Sequence, residues 1–122
     1  VTALNGSPGV HSARYAGEAR SDDANMDKLL AALQDSADRS AQFKTVITYL
    51  DGHQEYQFTG IVKGRIGTQK IGTQGFGYDP IFFPEDQNKT FAQMPLTDKN
   101  KFSHRARATV AFLKFLEERV AL

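Results

Sequence analysis

Residues 42–52 read QFKTVITYLDG, a run rich in β-branched and aromatic side chains that ends on the dipeptide Asp51-Gly52. A run of this composition is typical of a β-strand, and Asp-Gly between two apolar runs is a strong signal for a two-residue hairpin loop. The return run, residues 56–62, alternates, and one face is predicted to carry Tyr56, Phe58, Gly60 and Val62. We therefore predict an antiparallel β-hairpin at the centre of the chain, with its first strand over Gln42–Leu50.

A helix is predicted before the hairpin, over about residues 24–37. Its apolar residues recur at i, i+3, i+4 and i+7, which is one face of an α-helix: Met26, Leu29, Leu30 and Leu33. Asp22 and Asp23 stand at its start, where the helix dipole favours negative charge. The spacing predicts one buried face.

A second helix is predicted at the end of the chain, with Thr97 as its N-cap and Asp98 in its first turn. Its predicted buried stripe comprises Phe102, Ala106, Thr109, Val110, Leu113, Leu116 and Val120. A start at Ser103 is the alternative, but it would place His104 and Arg105 in the first turn, against the helix dipole. We therefore prefer the start at Thr97.

The segments between these elements are shorter. Residues 65–73 are compatible with a further short strand bounded by turns, residues 80–83 (PIFF) predict a short buried strand, and residues 85–89 predict a polar loop. The pattern indicates one α+β or mixed α/β domain over residues 1–122, without an internal repeat.

Composition narrows the class of protein. There are 15 basic and 14 acidic residues, and the net charge of +1 argues against binding to nucleic acid or to an anionic membrane. The chain has no cysteine, which excludes disulfides and thiolate metal sites. No apolar run approaches the roughly 20 residues that span a bilayer, and the first residues do not read as a signal peptide. We therefore expect a cytoplasmic protein.

One candidate binding element is the run Gly75–Pro80, which reads GFGYDP. Glycine lets a backbone approach a ligand closely, and an exposed Phe76 would be a natural stacking platform for a base. The alternative is a tight turn into the next strand, with Phe76 in the core. Spacing alone favours this alternative, because turns are far more common than stacking platforms.

A second candidate is the basic cluster Lys99, Ser103, His104 and Arg105. It combines an imidazole, whose charge is tunable, with the planar fork of a guanidinium. On one continuous helix Lys99 and His104 would lie about 140° apart, so these side chains would bracket a ligand end-on. The simpler interpretation is a solvated basic helix face.

Two further features carry less information. Arg14 lies in the glycine-rich first loop, where it would reach phosphates or a partner subunit, although a surface arginine is the simpler interpretation. No spacing of His, Asp and Glu along the chain indicates a metal site.

Three stretches together resemble the Ham1-like inosine/xanthosine triphosphate pyrophosphatase family, which includes the RdgB and ITPase proteins. Residues 3–17 (ALNGSPGVHSARYAG) resemble the family's A-L-x-G-x-P-G-x-x-S-A-R-Y-A-G loop, and residues 75–82 (GFGYDPIF) resemble its G-F-G-Y-D-P-x-F motif. Residues 90–106 resemble its T-x-A-E-M…K-N-x-x-S-H-R-x-x-A motif, with Gln93 in place of the usual Glu. The order and spacing agree over essentially the whole chain.

The resemblance implies hydrolysis of a purine nucleoside triphosphate between its α and β phosphates, with ITP, dITP and XTP as the preferred substrates. It implies that two of these motifs bind the nucleotide, with Phe76 stacked on the base: Phe76, Gly77, Tyr78, Asp79, Lys99, His104 and Arg105. It also implies a twisted mixed sheet with flanking helices in two lobes, dependence on Mg²⁺, and a homodimer.

The same resemblance places the phosphate-side groups outside these residues. The chain starts at Val1, within what reads as a strand end. The family's T/S-x-N-x-x-K motif, a metal-binding glutamate and the aspartate of D-D-[ST]-G-L are expected upstream of Val1. That aspartate is the expected proton acceptor, so no catalytic residue and no metal ligand is assigned within the chain. The alternative function is a purine-nucleotide-binding fragment or module without catalysis.

Overall fold

The structure, a computed structural model, describes residues 1–120 apart from the side chains of Phe102 and Val120. The helices and strands are α1 (Asp22–Ala32), β1 (Ser40–Asp51), β2 (Gln54–Ile66), β3 (Phe82–Pro84), α2 (Leu96–Phe102) and α3 (His104–Val120). Short 3₁₀ helices lie at Thr2–Leu4, Gly9–Arg14, Asp79–Ile81 and Phe91–Gln93. Each helix within residues 1–120 is too short or too polar to cross a membrane.

β1 and β2 form the predicted antiparallel hairpin, and both strands are longer than predicted. The last pair of the ladder is Asp51 with Gln54, so the two-residue loop is Gly52-His53 and not Asp51-Gly52. Gly52 has a φ of 60°, and glycine at the first loop position is what a type II′ hairpin turn requires. Asp51 stays in the strand, where its carboxylate pairs with Arg119 of α3.

The sheet has the order β1-β2-β3 within the described residues, and each pairing is antiparallel. The short strand predicted at residues 80–83 lies slightly later, as β3, because Pro80 belongs to the 3₁₀ helix that precedes it. The α/β class with helices beside the sheet is confirmed. The mixed pairing that the resemblance implies for the whole family sheet does not occur among these strands.

Residues 65–73 do not form a separate strand. The first two belong to the end of β2, and a loop follows. The loop turns at Gly72, whose φ of 97° is accessible mainly to glycine. Its backbone bonds to the segments that follow it: the N–H of Ile71 donates to the carbonyl of Pro80 at 2.8 Å, and Thr90 Oγ1 donates to the carbonyl of Ile71 at 2.6 Å.

α1 begins and ends before the predicted limits of residues 24–37. Ser21 is its N-cap, because Ser21 Oγ accepts a backbone N–H of the first turn at 3.2 Å. At the other end, Arg39 donates to the carbonyl of Leu33 at 2.5 Å and to that of Ile66 at 2.8 Å, which ties the helix end to β2. The predicted stripe is confirmed, since Met26, Leu29 and Leu33 are buried and Leu30 packs against them.

The predicted single helix from Thr97 is wrong, because the chain forms two helices that are separated at Ser103. Ser103 is extended, with φ −67° and ψ 145°, and its Oγ accepts the N–H of Ala106 at 3.0 Å as an N-cap. Such a cap stabilises a helix by about 1 kcal/mol, while a charge against the dipole costs about 0.3–1 kcal/mol. Burial lowers the pKa of His104, so at neutral pH the charges that oppose the dipole in the first turn are those of Arg105 and Arg107.

The face that α3 packs on the sheet also differs from the predicted stripe. The exposed members of that stripe are Thr109, Val110 and Leu113, and the partly buried ones are Ala106 and Leu116. The predictions for Phe102 and Val120 lie outside the described residues. Because α3 is a new helix after the break at Ser103, its orientation is independent of α2. A stripe calculated for one continuous helix from Thr97 therefore does not give the face that α3 buries.

The packed face of α3 is aromatic. Phe112 lies 5.4 Å from Phe58 and Phe115 lies 4.8 Å from Tyr56, measured between ring centroids. Aromatic side chains bury more apolar area than the aliphatic residues of the predicted stripe. We infer that α3 therefore packs its aromatic face, and not that stripe, against the sheet. Between these rings and the start of the helix, Ala108 is fully buried against the sheet.

The core lies between α1, the inner face of the sheet and the segments that follow residue 77. Its buried members are Met26, Leu29, Leu33, Val62, Ile66, Tyr78, Ile81, Phe82, Phe91 and Met94. Phe43 of β1 packs on Phe82 and Phe91, at centroid distances of 4.5 and 6.1 Å. These rings bring three features to one end of the core: β1, the GFGYDP turn and the break between α2 and α3.

Candidate functional site

The GFGYDP turn holds Phe76 out of the core. Its backbone has positive φ at Gly75 (79°) and Gly77 (64°), and the N–H of Phe76 donates to Asp79 Oδ2 at 3.0 Å. A Cβ added at Gly75 would lie 2.1 Å from the same oxygen, so only glycine allows this close approach. Phe76 is 56% exposed, and the interpretation that placed it in the core is wrong.

A buried ion pair joins this turn to α2. Lys99 Nζ lies 2.6 Å from Asp79 Oδ2, and the side chains are only 14% and 6% exposed. The same ammonium lies 4.6 Å from the ring centre of Phe76, and the guanidinium carbon of Arg105 lies 4.9 Å from it. Two cations from two different helices thus meet at one exposed aromatic ring, which the sequence places in another segment of the chain.

His104, the first residue of α3, stands beside these cations. Its Nδ1 is hydrogen-bonded to Thr45 Oγ1, and its ring stacks on Phe43 at 5.0 Å with an interplanar angle of 20°. Burial lowers the pKa of His104, and the positive charges of Arg105 and Lys99 lower it further against the opposing effect of Asp79. The imidazole is therefore neutral at pH 7 and has one N–H to donate.

Tyr78 and Gly77 connect the turn to the first loop and to α1. Tyr78 is buried, and its hydroxyl donates to the carbonyl of Ser12 at 2.7 Å. Burial raises the pKa of Tyr78 to about 12, so this donor keeps its proton at neutral pH. Asp22 Oδ2 accepts the N–H of Gly77 at 3.0 Å. Both residues thus fix the position of Phe76, and the tyrosine hydroxyl is already engaged within the protein.

The first loop is held by α1. Asn25 is 2% exposed, its Oδ1 accepts the N–H of Ala16 at 2.7 Å, and its Nδ2 donates to the carbonyl of Ala13 at 3.0 Å. Arg14 lies at the end of the 3₁₀ helix in this loop, and its guanidinium is 3.8 Å from Glu18. The structure gives Arg14 no contact with the Phe76 ring among the described residues. Its expected role at phosphates or a partner subunit stays a prediction.

The structure thus brings Phe76, Asp79, Lys99, His104 and Arg105 to one end of the core. Sequence reasoning missed three residues that support them: Asp22, Phe43 and Thr45. Phe43 and Thr45 lie on the inward face of β1, and their period-2 spacing was the available signal. The described residues contain no group of three or more His, Asp and Glu side chains that could hold a metal ion.

Residues 1–115 match the sequence model of the Ham1 family. The chain belongs to the Ham1 family. The proteins named dITP/XTP pyrophosphatase from Flavobacterium psychrophilum and Flavobacterium johnsoniae are 56% and 58% identical to it, over 96% and 95% of the chain. The chain spans 62% and 60% of the length of these two relatives.

Solved structures of Ham1 proteins show the same fold. The Ham1 protein of Staphylococcus aureus superposes with a TM-score of 0.94 at 47% identity, and covers 98% of this chain and 62% of its own length. A HAM1 protein from Coxiella burnetii gives a TM-score of 0.91 at 38% identity, with 96% of this chain and 62% of that protein covered. The overall fold of this chain is therefore that of solved Ham1 proteins.

Gln93, the one departure noted in the motif resemblance, has a structural contact. Gln93 Oε1 accepts the N–H of Thr90 at 2.9 Å, at the start of the 3₁₀ helix Phe91–Gln93. A carboxylate would accept the same N–H. We therefore expect Gln93→Glu to change the free energy of unfolding by less than about 0.5 kcal/mol, as is usual for surface substitutions. Urea denaturation measures this.

Gln93→Ala is the control for this prediction, because it removes the acceptor. Loss of such a capping contact is expected to lower the free energy of unfolding by about 1 kcal/mol. A loss of that size in Gln93→Glu would contradict the assignment and show that the neutral amide is required.

Proposed function

We propose that this chain forms the base-binding part of a nucleoside triphosphate pyrophosphatase. The proposed substrates are non-canonical purine nucleotides such as ITP, dITP and XTP, and the products are the nucleoside monophosphate and pyrophosphate. The names of the Flavobacterium relatives support this proposal, as does the cluster of site residues at one end of the core. In the proposed complex, Phe76 stacks on the purine base. The polar edge of the base faces Lys99, His104 and Arg105.

The observation that carries the proposal is the donor character around Phe76. The ammonium of Lys99 and the guanidinium of Arg105 lie at the Phe76 ring, and the imidazole of His104 stands beside these two cations. Lysine and arginine side chains only donate hydrogen bonds. Hypoxanthine and xanthine carry an acceptor oxygen at position 6, whereas adenine carries an amino donor there. A donor that faces a donor stays unpaired, which costs about 1–3 kcal/mol, or roughly five- to 150-fold in affinity.

Mg²⁺ belongs to the proposal on the phosphate side of the substrate. When bound, a magnesium ion neutralises phosphate charge and helps to orient the attacking water. The described residues do not gather a ligand set for it, so no step of the cleavage is assigned to them. We propose that the metal ligands and the proton-accepting aspartate lie in the part of the fold that the longer relatives possess and these residues do not include.

The test of this function compares dITP with dATP. The intact protein with Mg²⁺ is expected to release pyrophosphate from dITP at least tenfold faster than from dATP at subsaturating substrate, because the 6-oxygen alone pairs with the donors. A colorimetric pyrophosphate assay gives both rates. Equal rates would contradict the proposed specificity.

Two other outcomes concern the catalytic groups. Turnover by residues 1–122 alone would show that these groups lie within them. Binding by the intact protein without turnover would favour the alternative of a nucleotide-binding module.

Phe76→Ala is expected to weaken binding of dITP about tenfold, because stacking of a base on an aromatic ring contributes about 1–3 kcal/mol. Calorimetric titration of a non-hydrolysable dITP analogue into the intact protein measures the dissociation constant. Phe76→Tyr keeps the ring and is expected to bind within a factor of about three of the wild type. An unchanged dissociation constant in Phe76→Ala would remove this ring from the binding site.

The homodimer is also proposed, on the resemblance to the family. Sedimentation velocity of the intact protein at several concentrations measures its mass in solution. A mass of one chain at every concentration would contradict it.

A further inference from the structure

We propose that Thr45 is a positioning residue for His104: its hydroxyl holds Nδ1 of the imidazole, so that Nε2–H is the ring atom presented to the nucleotide base. The inference rests on the proposed function for its consequence in catalysis. The position of the ring itself rests only on contacts within the chain.

Three contacts restrain His104, each in a different way. Its backbone lies directly on Gly60 of β2, where an added Cβ would be 1.9 Å from the His104 carbonyl oxygen. Its ring plane is set by stacking on Phe43. Rotation of the ring within that plane is set by the hydrogen bond from Nδ1 to Thr45 Oγ1. Thr45 is paired with Gly60 in the hairpin register and lies on the same strand face as Phe43, so one patch of sheet supplies all three restraints.

The direction of the Thr45 hydrogen bond follows from its surroundings. Arg105 and Lys99 are the cations near His104, Asp79 is the nearby anion and already pairs with Lys99, and the ring is half buried. These conditions favour a neutral imidazole with one protonated nitrogen. Among the described residues the Thr45 hydroxyl has no acceptor other than Nδ1. We therefore infer that Thr45 donates to Nδ1, which would place the ring proton on Nε2.

Nε2–H is the donor that completes the site. It has no hydrogen-bond partner in the part of the chain that the structure describes, and it stands beside Lys99 and Arg105. A neutral donor adds a directional hydrogen bond to an acceptor atom of the base. If the proton moved to Nδ1, Nε2 would become an acceptor and would repel the 6-oxygen of hypoxanthine. The hydroxyl of Thr45 thus controls whether His104 favours or disfavours a 6-oxo purine.

Thr45→Val and Thr45→Ser test the proposal in the intact protein. Valine keeps the shape of threonine and removes the hydroxyl, while serine keeps the hydroxyl. In ¹⁵N-labelled protein near pH 8, NMR of the imidazole nitrogens reports the tautomer of each histidine, and the His104 signals are assigned by their loss in His104→Gln. We expect the Nε2–H tautomer in the wild type and in Thr45→Ser, and a mixture of both tautomers in Thr45→Val.

The kinetic readout is the ratio of kcat/KM for dITP to that for dATP. Thr45→Val is expected to lower this ratio five- to tenfold, through a higher KM for dITP with kcat within twofold, and Thr45→Ser is expected to restore it. A merely structural role would lower kcat/KM for both substrates and leave the ratio unchanged. Thermal melts establish that each variant is folded.

Each outcome bears on the proposal. An Nδ1–H tautomer in the wild type would overturn it without any variant, and so would an unchanged tautomer and unchanged ratio in a folded Thr45→Val. If Thr45→Val does not fold, Thr45→Ala removes the hydroxyl in its place, and the same tautomer and ratio are measured in it. A wild type that treats dITP and dATP alike would contradict the proposed function, while the NMR result for Thr45 and His104 would remain an independent test of the positioning.

Discussion

Gly60→Ala is expected to lower the free energy of unfolding by about 3 kcal/mol, at the upper end of the usual effect of overpacking. The new Cβ would lie 1.9 Å from the carbonyl oxygen of His104 and 2.5 Å from the backbone nitrogen of Ala108. Both atoms belong to the backbone of α3, so no side-chain rotation relieves the clash. The first turns of the helix must move away from the sheet. Urea denaturation measures the loss.

The same substitution is expected to disturb the candidate site. His104 begins α3, and a helix displaced from β2 separates its ring from Phe43 and Thr45. We expect weaker binding of the dITP analogue together with the lower stability. Thr59→Ala is the control, because Thr59 precedes Gly60 in the strand and is exposed, and it is expected to change stability by about 0.5 kcal/mol or less. A Gly60→Ala variant as stable as this control would show that α3 does not rest on the strand.

Lys99→Met is expected to lower the free energy of unfolding by about 3–5 kcal/mol, the usual result of removing one partner of a buried ion pair. Asp79 is 6% exposed at its side chain, and among the described residues its charge would keep only the hydrogen bond from the N–H of Phe76 once Lys99 is removed. The GFGYDP turn depends on that carboxylate, so we also expect loss of dITP binding. Chemical denaturation and calorimetric titration measure the two effects.

Two further variants isolate the ion pair. Lys101→Met is the matched control, since Lys101 lies in the same helix, is 72% exposed and stands 3.9 Å from Asp98. An exposed pair of this kind contributes about 1 kcal/mol or less. The double variant Asp79→Asn/Lys99→Met removes both charges and is expected to recover most of the lost stability, because no buried charge is left unpaired. Equal losses in Lys99→Met and Lys101→Met would show that the Lys99 pair is solvated.

The parts of the fold that sequence reasoning predicted correctly depend on neighbours along the chain. The hairpin follows from strand-forming residues on both sides of a turn, and the buried stripe of α1 follows from its helical spacing. The errors occurred where two local signals competed. At Ser103, the N-cap preference of serine outweighed the unfavourable position of a cation in the first turn, and at the hairpin Gly52 took the first loop position.

The candidate site was predicted in a different way. Only the resemblance to family motifs points to Phe76, Lys99, His104 and Arg105, since their spacing alone favours a turn and a basic helix face. The structure brings Lys99 and Arg105 to the ring of Phe76 from two helices that the predicted single helix had merged. The sequence does not point to Thr45, because threonine is common in strands. Its role becomes visible only when His104 is seen packed against the same face of β1.

By itself, the sequence determined the central hairpin, the buried stripe of α1, the family to which the motifs point, and the residue types available at the site. These are local properties, because propensity, periodicity and turn chemistry act between residues a few positions apart. Only the tertiary structure decided which face α3 buries, that Asp79 pairs with Lys99, and that Thr45 meets His104. Those contacts depend on how closely two segments that are distant in sequence approach each other. α3 can lie against β2 because Gly60, 44 positions before His104, has no Cβ.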